Sequence, residues 1–495
     1  MRDGKRPPPR PRAASPQGEA LAHGSDLPPS HCPRPSDTPL LADRRFAPLF
    51  WCQFFSAFND NFLKNALVFL ILWGNGGQDA GHGPGIGTGA ALVSLAGAVF
   101  ILPFFLLSGL GGELADRFDK ALVARRLKFV EIAVAFLAIL GFTLRSVPVL
   151  FVALAGFGLI SALFGPVKYA ILPDHLPKYR LNAANALVEF ATFLAILAGT
   201  IAGGLAAAGG GSTPVLAGLV LLFALLSWQM ARRIPPTVEA APDLVPRANL
   251  FASTLDLLRG LKSEARVWTA SLITTWFWLA GSLALLILPL LIKDRLGGNE
   301  MATALALCTF SVGVGAGSGL AVRLTGGRIL LLPCALASLG MAGFLFDLAI
   351  LAQGPDLPEV ALAGFLHRPE AIHALIDLAG LAACGGLVAV PSFAAVQAWS
   401  GAEHRARSIG GVNVLSAGAM ALCALAVAGM QRVGLGTGPE AEAGAGNSLL
   451  LAALGLASLL VGLAILGHLR GRRRDELFWM LWRRPYRSGL EDGPD

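Results

Sequence analysis

The chain alternates long apolar runs with shorter polar interruptions from residue 46 to residue 468. A helix needs roughly 20 apolar residues to cross a bilayer, and most of the runs are about that long. The longest polar interruption, residues 232–266, contains four prolines and separates six runs from six others. This pattern predicts an all-α membrane protein of twelve transmembrane helices in two halves of six. The runs span residues 46–73, 88–111, 127–145, 147–172, 182–207, 214–231, 267–292, 300–322, 329–352, 372–399, 409–431 and 447–468.

Composition supports a membrane protein, since 54% of the 495 residues are hydrophobic and only 14% are charged. The six cysteines form no C-x-x-C pair, so we predict no disulfide framework, no metal site and no cofactor. The predicted division is a disordered basic, proline-rich tail (1–45), an N-terminal half (46–231), a linker (232–266), a C-terminal half (267–468) and a basic amphipathic tail (469–495). The last tail combines arginines with aromatic residues, which suits a helix lying on an anionic membrane surface.

Lysine and arginine set the expected orientation. Most of them fall in the two tails, in the linker and in the loops after the second, fourth, eighth and tenth spans, and Lys128 is counted with the loop after the second span. Only Lys64 and Lys168 are assigned within spans. Cytoplasmic loops carry the excess of positive charge, so we predict that both termini and the linker are cytoplasmic. The opposite side of the membrane is predicted to include Gly74–Thr88 and Gln353–Ala371. It carries only five basic residues, Arg145, Lys293, Arg295, Arg368 and Arg432.

Polar residues interrupt the first span at Phe58-Asn-Asp-Asn-Phe-Leu-Lys-Asn65. Helical spacing puts Asp60, Asn61, Lys64 and Asn65 on one face, whereas Asn59 falls off it. Asp60 and Lys64 are four residues apart, which predicts an ion pair between them. An ionisable group at membrane depth costs about 2.5–3.5 kcal/mol or more, which favours the lining of a water-accessible cavity. The alternative is a polar patch that joins this helix to its neighbours.

A weak internal repeat relates the two halves. Gly158–Leu187 aligns without gaps on Gly386–Leu415, so that Asn185 corresponds to Asn413. A second match pairs Leu114–Phe118 with Leu320–Leu324 at a different offset. Both matches relate a span to the sixth span after it, as expected for two six-helix halves repeated in parallel.

The loop Gly111-Gly-Glu-Leu-Ala-Asp-Arg-Phe-Asp-Lys120 resembles the signature loop of the major facilitator superfamily. That resemblance implies the major facilitator fold. It also implies a latch in which Asp116 contacts the start of a neighbouring helix and the basic residues pair with acids of the other half. The residues matched to the latch are Gly112, Asp116, Arg117 and Lys120. The repeat has Val322 in place of Asp116, so we expect the corresponding latch to be weaker or absent.

A more specific resemblance comes from Phe164–Pro177, which contains Gly165-Pro-Val-Lys-Tyr169. Together with the polar segment of the first span and Asn182-x-x-Asn-Ala-Leu187, it is similar to the lysophospholipid transporter family of that superfamily. The resemblance implies a secondary transporter that moves lysophosphatidylethanolamine-like lipids across the bacterial inner membrane. It also implies a separate acyltransferase as partner. We expect a monomer that binds no nucleic acid.

The candidate residues suit such a substrate chemically. Lys64 and Lys168 would hold a phosphate, and Asp60, Glu131 or Glu189 would face an amine or a coupling cation. The remaining candidates are polar residues of the same region and the repeat asparagine: Asn59, Asn61, Asn65, Tyr169, Asn185 and Asn413. Two other functions stay open, an exporter of other small amphipathic compounds and a membrane scaffold for an acyltransferase. The sequence has none of the G-x-S-x-G, H-E-x-x-H or phosphate-loop motifs, so we expect no enzyme.

Overall fold

The computed structural model describes residues 38–73, 89–207, 212–245, 249–432 and 443–482. These residues form fifteen α-helices. In chain order they are α1 (Ala47–Trp73), α2 (Gly89–Arg117), α3 (Lys120–Leu144), α4 (Val147–His175), α5 (Leu181–Ala207), α6 (Thr213–Ala231), α7 (Leu250–Ser263), α8 (Ala265–Leu290), α9 (Glu300–Thr325), α10 (Leu332–Leu351), α11 (Leu362–Leu366), α12 (Pro369–Trp399), α13 (Arg405–Arg432), α14 (Ala443–His468) and α15 (Arg473–Trp482).

Twelve of the described helices are long, and α7, α11 and α15 are short. Within the described part of the chain, eleven of the long helices are long and apolar enough to cross a membrane. The twelfth is α1, which has 27 residues and carries the polar segment from Asn59 to Asn65. That segment lowers its average hydropathy, although α1 packs against α5 and α6 as one element of the bundle. The all-helical membrane fold predicted from the apolar runs is therefore confirmed.

The long helices form two groups by their packing. Helices α1–α6 pack among themselves, and so do α8–α10 and α12–α14. Between the groups, α2 packs on α13 and α5 packs on α9, with further contacts of α4 with α13 and of α5 with α12. We call the end of the bundle where α2, α4 and α6 finish the linker end, because the segment from α6 to α8 lies there.

Two pairs of repeat-related glycines allow close helix packing in both halves. A Cβ atom on Gly158 of α4 would lie 2.7 Å from the main-chain oxygen of Phe100 in α2. Its counterpart Gly386 of α12 meets the main-chain oxygen of Val314 in α9 in the same way. Gly111 of α2 and Gly317 of α9 also face main-chain oxygens, those of Leu163 and Ala383. Small residues at such crossings let two helix backbones approach closely.

The structure corrects several predicted boundaries. Helix α7 forms within the predicted linker, residues 232–266. Helix α8 begins at Ala265, slightly before the predicted span. Within residues 353–371, α11 is a short helix. The segment Gly74–Thr88 and the residues before 38 and after 482 lie outside the described residues.

Both predicted tails have parts that pack on the bundle. Residues 40–42, assigned to a disordered tail, form a short 3-10 helix, and Asp43 pairs with Arg180 at 2.9 Å. At the other end, Glu476 of α15 accepts a hydrogen bond from the amide of Leu332 at 2.8 Å. The guanidinium of Arg328 lies 3.5 Å from the ring centroid of Trp479. Helix α15 is thus held on α9 and α10 by specific contacts.

Candidate functional site

Asp60 turns away from its own helix and toward α4. The hydroxyl of Ser161 donates to its Oδ2 at 2.5 Å, and its Oδ1 has no hydrogen-bond partner. Only 6% of Asp60 is exposed. A buried carboxylate oxygen without a partner is costly, so this atom marks a place where a donor is missing.

The predicted ion pair between Asp60 and Lys64 is not formed. Lys64 Nζ instead donates to Asn61 Oδ1, three residues earlier, at 3.2 Å, and lies 5.9 Å from the ring centroid of Phe100. The prediction was wrong because Asp60 reaches across to Ser161 of α4, and Lys64 then takes the other neighbour on its face, Asn61.

Two of the three asparagines in the polar segment of α1 join this helix to its neighbours. Asn59 is fully buried and donates to the main-chain oxygen of Val220 in α6 at 3.1 Å. Asn61 bonds within α1, to the main-chain oxygen of Ala57 at 2.8 Å, whereas Asn65 donates to Thr200 of α5 at 3.0 Å. Hydrogen bonds of this kind join helices in a membrane. Part of the polar segment therefore acts as the joining patch that the sequence left as an alternative.

A buried ion pair that sequence reasoning misplaced lies next to this face. Lys128 belongs to α3, not to a loop, and it is fully buried with Glu131. Its Nζ lies 2.5 Å from Glu131 Oε2, donates to Ser56 of α1 at 2.6 Å and sits 4.2 Å from the ring centroid of Phe164. Two residues separate α2 from α3, so the helix begins earlier than the apolar run. The three-residue spacing of Lys128 and Glu131 was the available signal.

Lys168 stands differently from Lys128. It is half-buried on α4, and its Nζ lies 4.7 Å from the ring centroid of Tyr169. Among the described residues no carboxylate lies within 4.0 Å of Lys168 Nζ. The neighbouring Tyr169 hydroxyl donates to Glu189 Oε1 of α5 at 2.6 Å, and Glu189 Oε2 has no hydrogen-bond partner.

The repeat asparagines lie where the two halves meet. Asn185 of α5 donates to Gln397 Oε1 of α12 at 2.7 Å, and Gln397 Nε2 donates back to Asn185 Oδ1 at 3.1 Å. Asn413 of α13 lies against α4, where a Cβ on Gly165 would be 2.8 Å from its Nδ2. Helix α4 remains helical through Pro166 and Pro173. The two repeats thus contact each other with equivalent elements.

The signature loop Gly111–Lys120 holds the start of α13. Asp116 is fully buried and accepts hydrogen bonds from the amides of Ala406 at 2.9 Å and Arg407 at 3.1 Å, and from Arg407 Nε at 3.0 Å. A carboxylate at a helix N-terminus is favoured by the free amides and by the helix dipole. A Cβ on Gly112 would lie 2.7 Å from the main-chain oxygen of Ala406, so the two helices touch here.

A second charged contact crosses between the halves nearby. Lys120 is 2% exposed and pairs with Asp174 of α4 at 2.9 Å, and Asp174 also pairs with Arg405 of α13 at 3.0 Å. Arg117 instead lies over the ring of Phe118 at 5.0 Å. In the repeat, Val322 packs against a small apolar cluster that is formed by Ala186, Ala321 and Val390. An apolar contact therefore stands at the position equivalent to the Asp116 contact.

Helix α7 lies across the α2–α13 contact. Leu257 approaches both Gly109 of α2 and Gly411 of α13, and Ser253 donates to Glu113. A cavity of about 380 Å³ lies beside α7, lined by acidic and basic side chains that include Glu264, His404 and Arg407. The halves also meet at Phe193 of α5 and Phe310 of α9, whose ring centroids are 6.0 Å apart.

The family follows from comparison with known proteins. A family profile described as Major Facilitator Superfamily matches residues 49–367. The chain is 30% identical over 301 residues to the lysophospholipid transporter LplT of Serratia proteamaculans, covering 58% of this chain and 68% of that protein. The chain belongs to the lysophospholipid transporter family of the major facilitator superfamily. It is also 29% identical to LplT of Yersinia enterocolitica over 393 residues, 77% of this chain and 84% of that protein.

Solved structures of the superfamily share the fold. The human organic anion transporter MFSD10 superposes with a TM-score of 0.65 at 16% identity, covering 85% of this chain and 99% of that one. The fucose:proton symporter FucP of E. coli gives a TM-score of 0.59 at 13% identity, covering 85% and 98%. The expectation of a major facilitator fold is confirmed, and the chain is a transporter spanning the membrane many times.

Proposed function

We propose that this transporter moves lysophospholipids across the bacterial inner membrane by alternating access between two sides. The observation that carries the proposal is the half-buried ammonium of Lys168, which faces an aromatic ring and, among the described residues, no carboxylate within 4.0 Å. A cation held at this depth is expensive unless an anion or water reaches it. A lysophospholipid phosphate supplies that anion, and the curated relatives in this family are named for lysophospholipid transport.

The acidic groups nearby suit the other end of a zwitterionic headgroup. Asp60 and Glu189 each keep one buried oxygen without a hydrogen-bond donor. An ammonium group, on the lipid or as a coupling cation, would satisfy such an oxygen. Glu131 is already paired with Lys128, so we assign this pair the role of positioning Ser56 and Phe164.

Three buried aromatic rings that meet between the halves form an apolar surface suited to the acyl chain. Phe193 of α5 lies 6.2 Å from Phe277 of α8 and 6.0 Å from Phe310 of α9, measured between ring centroids. The segment of α8 that corresponds to the polar part of α1 reads Thr274-Thr-Trp-Phe-Trp-Leu-Ala280. We therefore assign the headgroup to the N-terminal half and the chain to the surface shared with the C-terminal half.

Alternating access requires the contacts at the linker end to break and reform. The Asp116 contacts with α13, the Lys120–Asp174–Arg405 chain and the Asn185–Gln397 pair all join the halves there. In our proposal this set defines the state closed at the linker end, and substrate release on that side follows its opening. With both termini and the linker cytoplasmic, single cysteines placed in residues 232–245 should react with impermeant maleimide only from the cytoplasmic side.

Substrate chemistry distinguishes this proposal from an exporter of unrelated amphipathic compounds. Reconstituted protein should take up labelled lysophosphatidylethanolamine, and excess unlabelled lysophospholipid should compete. Glycerophosphoethanolamine, which lacks the chain, and a free fatty acid, which lacks the phosphate, should compete poorly. Equal competition by a cationic amphiphile without phosphate would favour the exporter. Protein that binds an acyltransferase but moves no lipid would favour the scaffold function.

A further inference from the structure

A cluster of metal-ligating side chains lies at the end of the C-terminal half opposite the linker. Asp347 comes from the last turns of α10, and His373 and Asp377 lie one turn apart on α12. His373 Nε2 is 3.0 Å from Asp347 Oδ2 and 3.5 Å from Asp377 Oδ2. The ligand atoms of all three residues lie within 4.8 Å of one another.

Hydrogen bonding within the protein does not satisfy this cluster. A neutral imidazole nitrogen donates one hydrogen, and the shorter distance assigns it to Asp347. Asp377 is 3% exposed, and its Oδ2 points at the cluster without a hydrogen-bond partner. This buried carboxylate oxygen lies beside a second carboxylate, that of Asp347. It needs a positive partner to offset the cost of its desolvation.

We propose that Asp347, His373 and Asp377 bind a divalent first-row transition-metal ion such as zinc. One imidazole nitrogen and two carboxylate oxygens are ligands that such ions accept. With metal–ligand bonds of roughly 2.0–2.2 Å, ligand atoms at adjacent corners of a tetrahedron lie about 3.4 Å apart. The His373–Asp347 and His373–Asp377 distances of 3.0 and 3.5 Å are close to that edge without rearrangement.

Access and coordination number fit the same ion. The side chains of His373 and Asp347 are 46% and 47% exposed, which leaves an entry path and room for water at the fourth position. Asp377 forms the buried floor of the site. The metal would join α10 to α12 within one half, on the far side of the bundle from the Asp116 contacts. Its role is therefore to brace the C-terminal half, separately from the lysophospholipid proposal.

The test uses the full chain purified in detergent, stripped with chelator and then equilibrated with Zn²⁺. We expect about one equivalent of tightly bound zinc by elemental analysis, and a higher unfolding temperature in zinc than in chelator. His373→Ala should weaken zinc binding at least tenfold and abolish the temperature shift. The matched control is His367→Ala, which removes another exposed histidine whose Nδ1 lies 2.6 Å from the main-chain oxygen of Ala363, outside the cluster.

Each outcome bears on the proposal. Loss of binding in His373→Ala and in Asp347→Asn, with retention in His367→Ala, supports it. We change the exposed Asp347 rather than the buried Asp377, because a substitution at a buried position risks preventing folding. Wild-type protein that retains no zinc, or His373→Ala that binds as tightly as wild type, overturns the site. Neither result depends on whether the protein transports lysophospholipid.

Discussion

Gln397 Nε2 donates a hydrogen bond to the main-chain oxygen of Tyr169 at 3.1 Å, and the two residues are 228 positions apart. That separation is the offset of the internal repeat, so equivalent positions of the two halves bond directly to each other. The same Gln397 exchanges two hydrogen bonds with Asn185. This buried polar contact therefore closes the linker end at the junction of α4, α5 and α12.

Gln397→Leu should favour opening at the linker end. The substitution leaves the buried Asn185 Oδ1 without its hydrogen-bond donor, whereas Asn185 Nδ2 keeps its bond to the main-chain oxygen of Leu181. A buried acceptor left unpaired costs the closed state about 1–3 kcal/mol. A cysteine at Ala186, which is 7% exposed between the halves, should then react faster with maleimide in a cysteine-free background. Gln53→Leu is the control, because Gln53 is equally buried but bonds only within the N-terminal half, to Val188 and Thr192. Equal acceleration in both variants would exclude a closing role for Gln397.

Asp116→Asn should slow transport while leaving substrate binding largely intact. The amide cannot accept from two main-chain amides and the Arg407 guanidinium as the carboxylate does. Turnover in proteoliposomes and equilibrium binding of labelled lysolipid measure the two effects. Asp243→Asn, an exposed change in the linker, should alter neither. Wild-type turnover in Asp116→Asn would reject the latch.

Lys128→Met should destabilise the protein strongly. It leaves Glu131 as an unpaired buried charge, and breaking such a pair costs about 3–5 kcal/mol. Adding Glu131→Gln removes that charge, so the double variant should unfold at a higher temperature than Lys128→Met alone. Thermal unfolding in detergent, with the exposed Lys178→Met as control, measures both. A double variant less stable than Lys128→Met would contradict this reasoning.

Gly317→Ala should lower stability, and Gly319→Ala on the same helix should not. A methyl group on Gly317 meets the backbone of Ala383 in α12, whereas nothing lies within 4 Å of the corresponding position on Gly319. Because backbone cannot move aside as a flexible side chain can, Gly317→Ala forces α9 and α12 apart. Thermal unfolding of the two variants compares them, and equal temperatures would refute the close crossing.

The fold was predictable because apolar runs and charged loops are properties of single segments. The same holds for Asp116, whose place between two spans follows from its motif. Contacts between distant segments were not predictable. Nothing local shows that Asp60 bonds Ser161 rather than Lys64, or that Asp347 meets His373. Lys128 was misplaced because it lies at the edge of the apolar run 127–145 and closely follows Arg125 and Arg126, so its charge was counted with the loop, whereas α3 begins at Lys120.

The proposal that Lys168 binds the phosphate of a transported lysophospholipid is tested most directly in proteoliposomes that contain wild-type protein, Lys168→Gln or Lys178→Gln. The measurement is the uptake of labelled lysophosphatidylethanolamine. Lys168 is half-buried beside Tyr169, whereas Lys178 is exposed at the linker end. If the transport proposal holds, uptake by wild type and Lys178→Gln is rapid, and Lys168→Gln loses at least tenfold at unchanged protein content. Normal uptake by Lys168→Gln, or no uptake by wild type above empty liposomes, would contradict it.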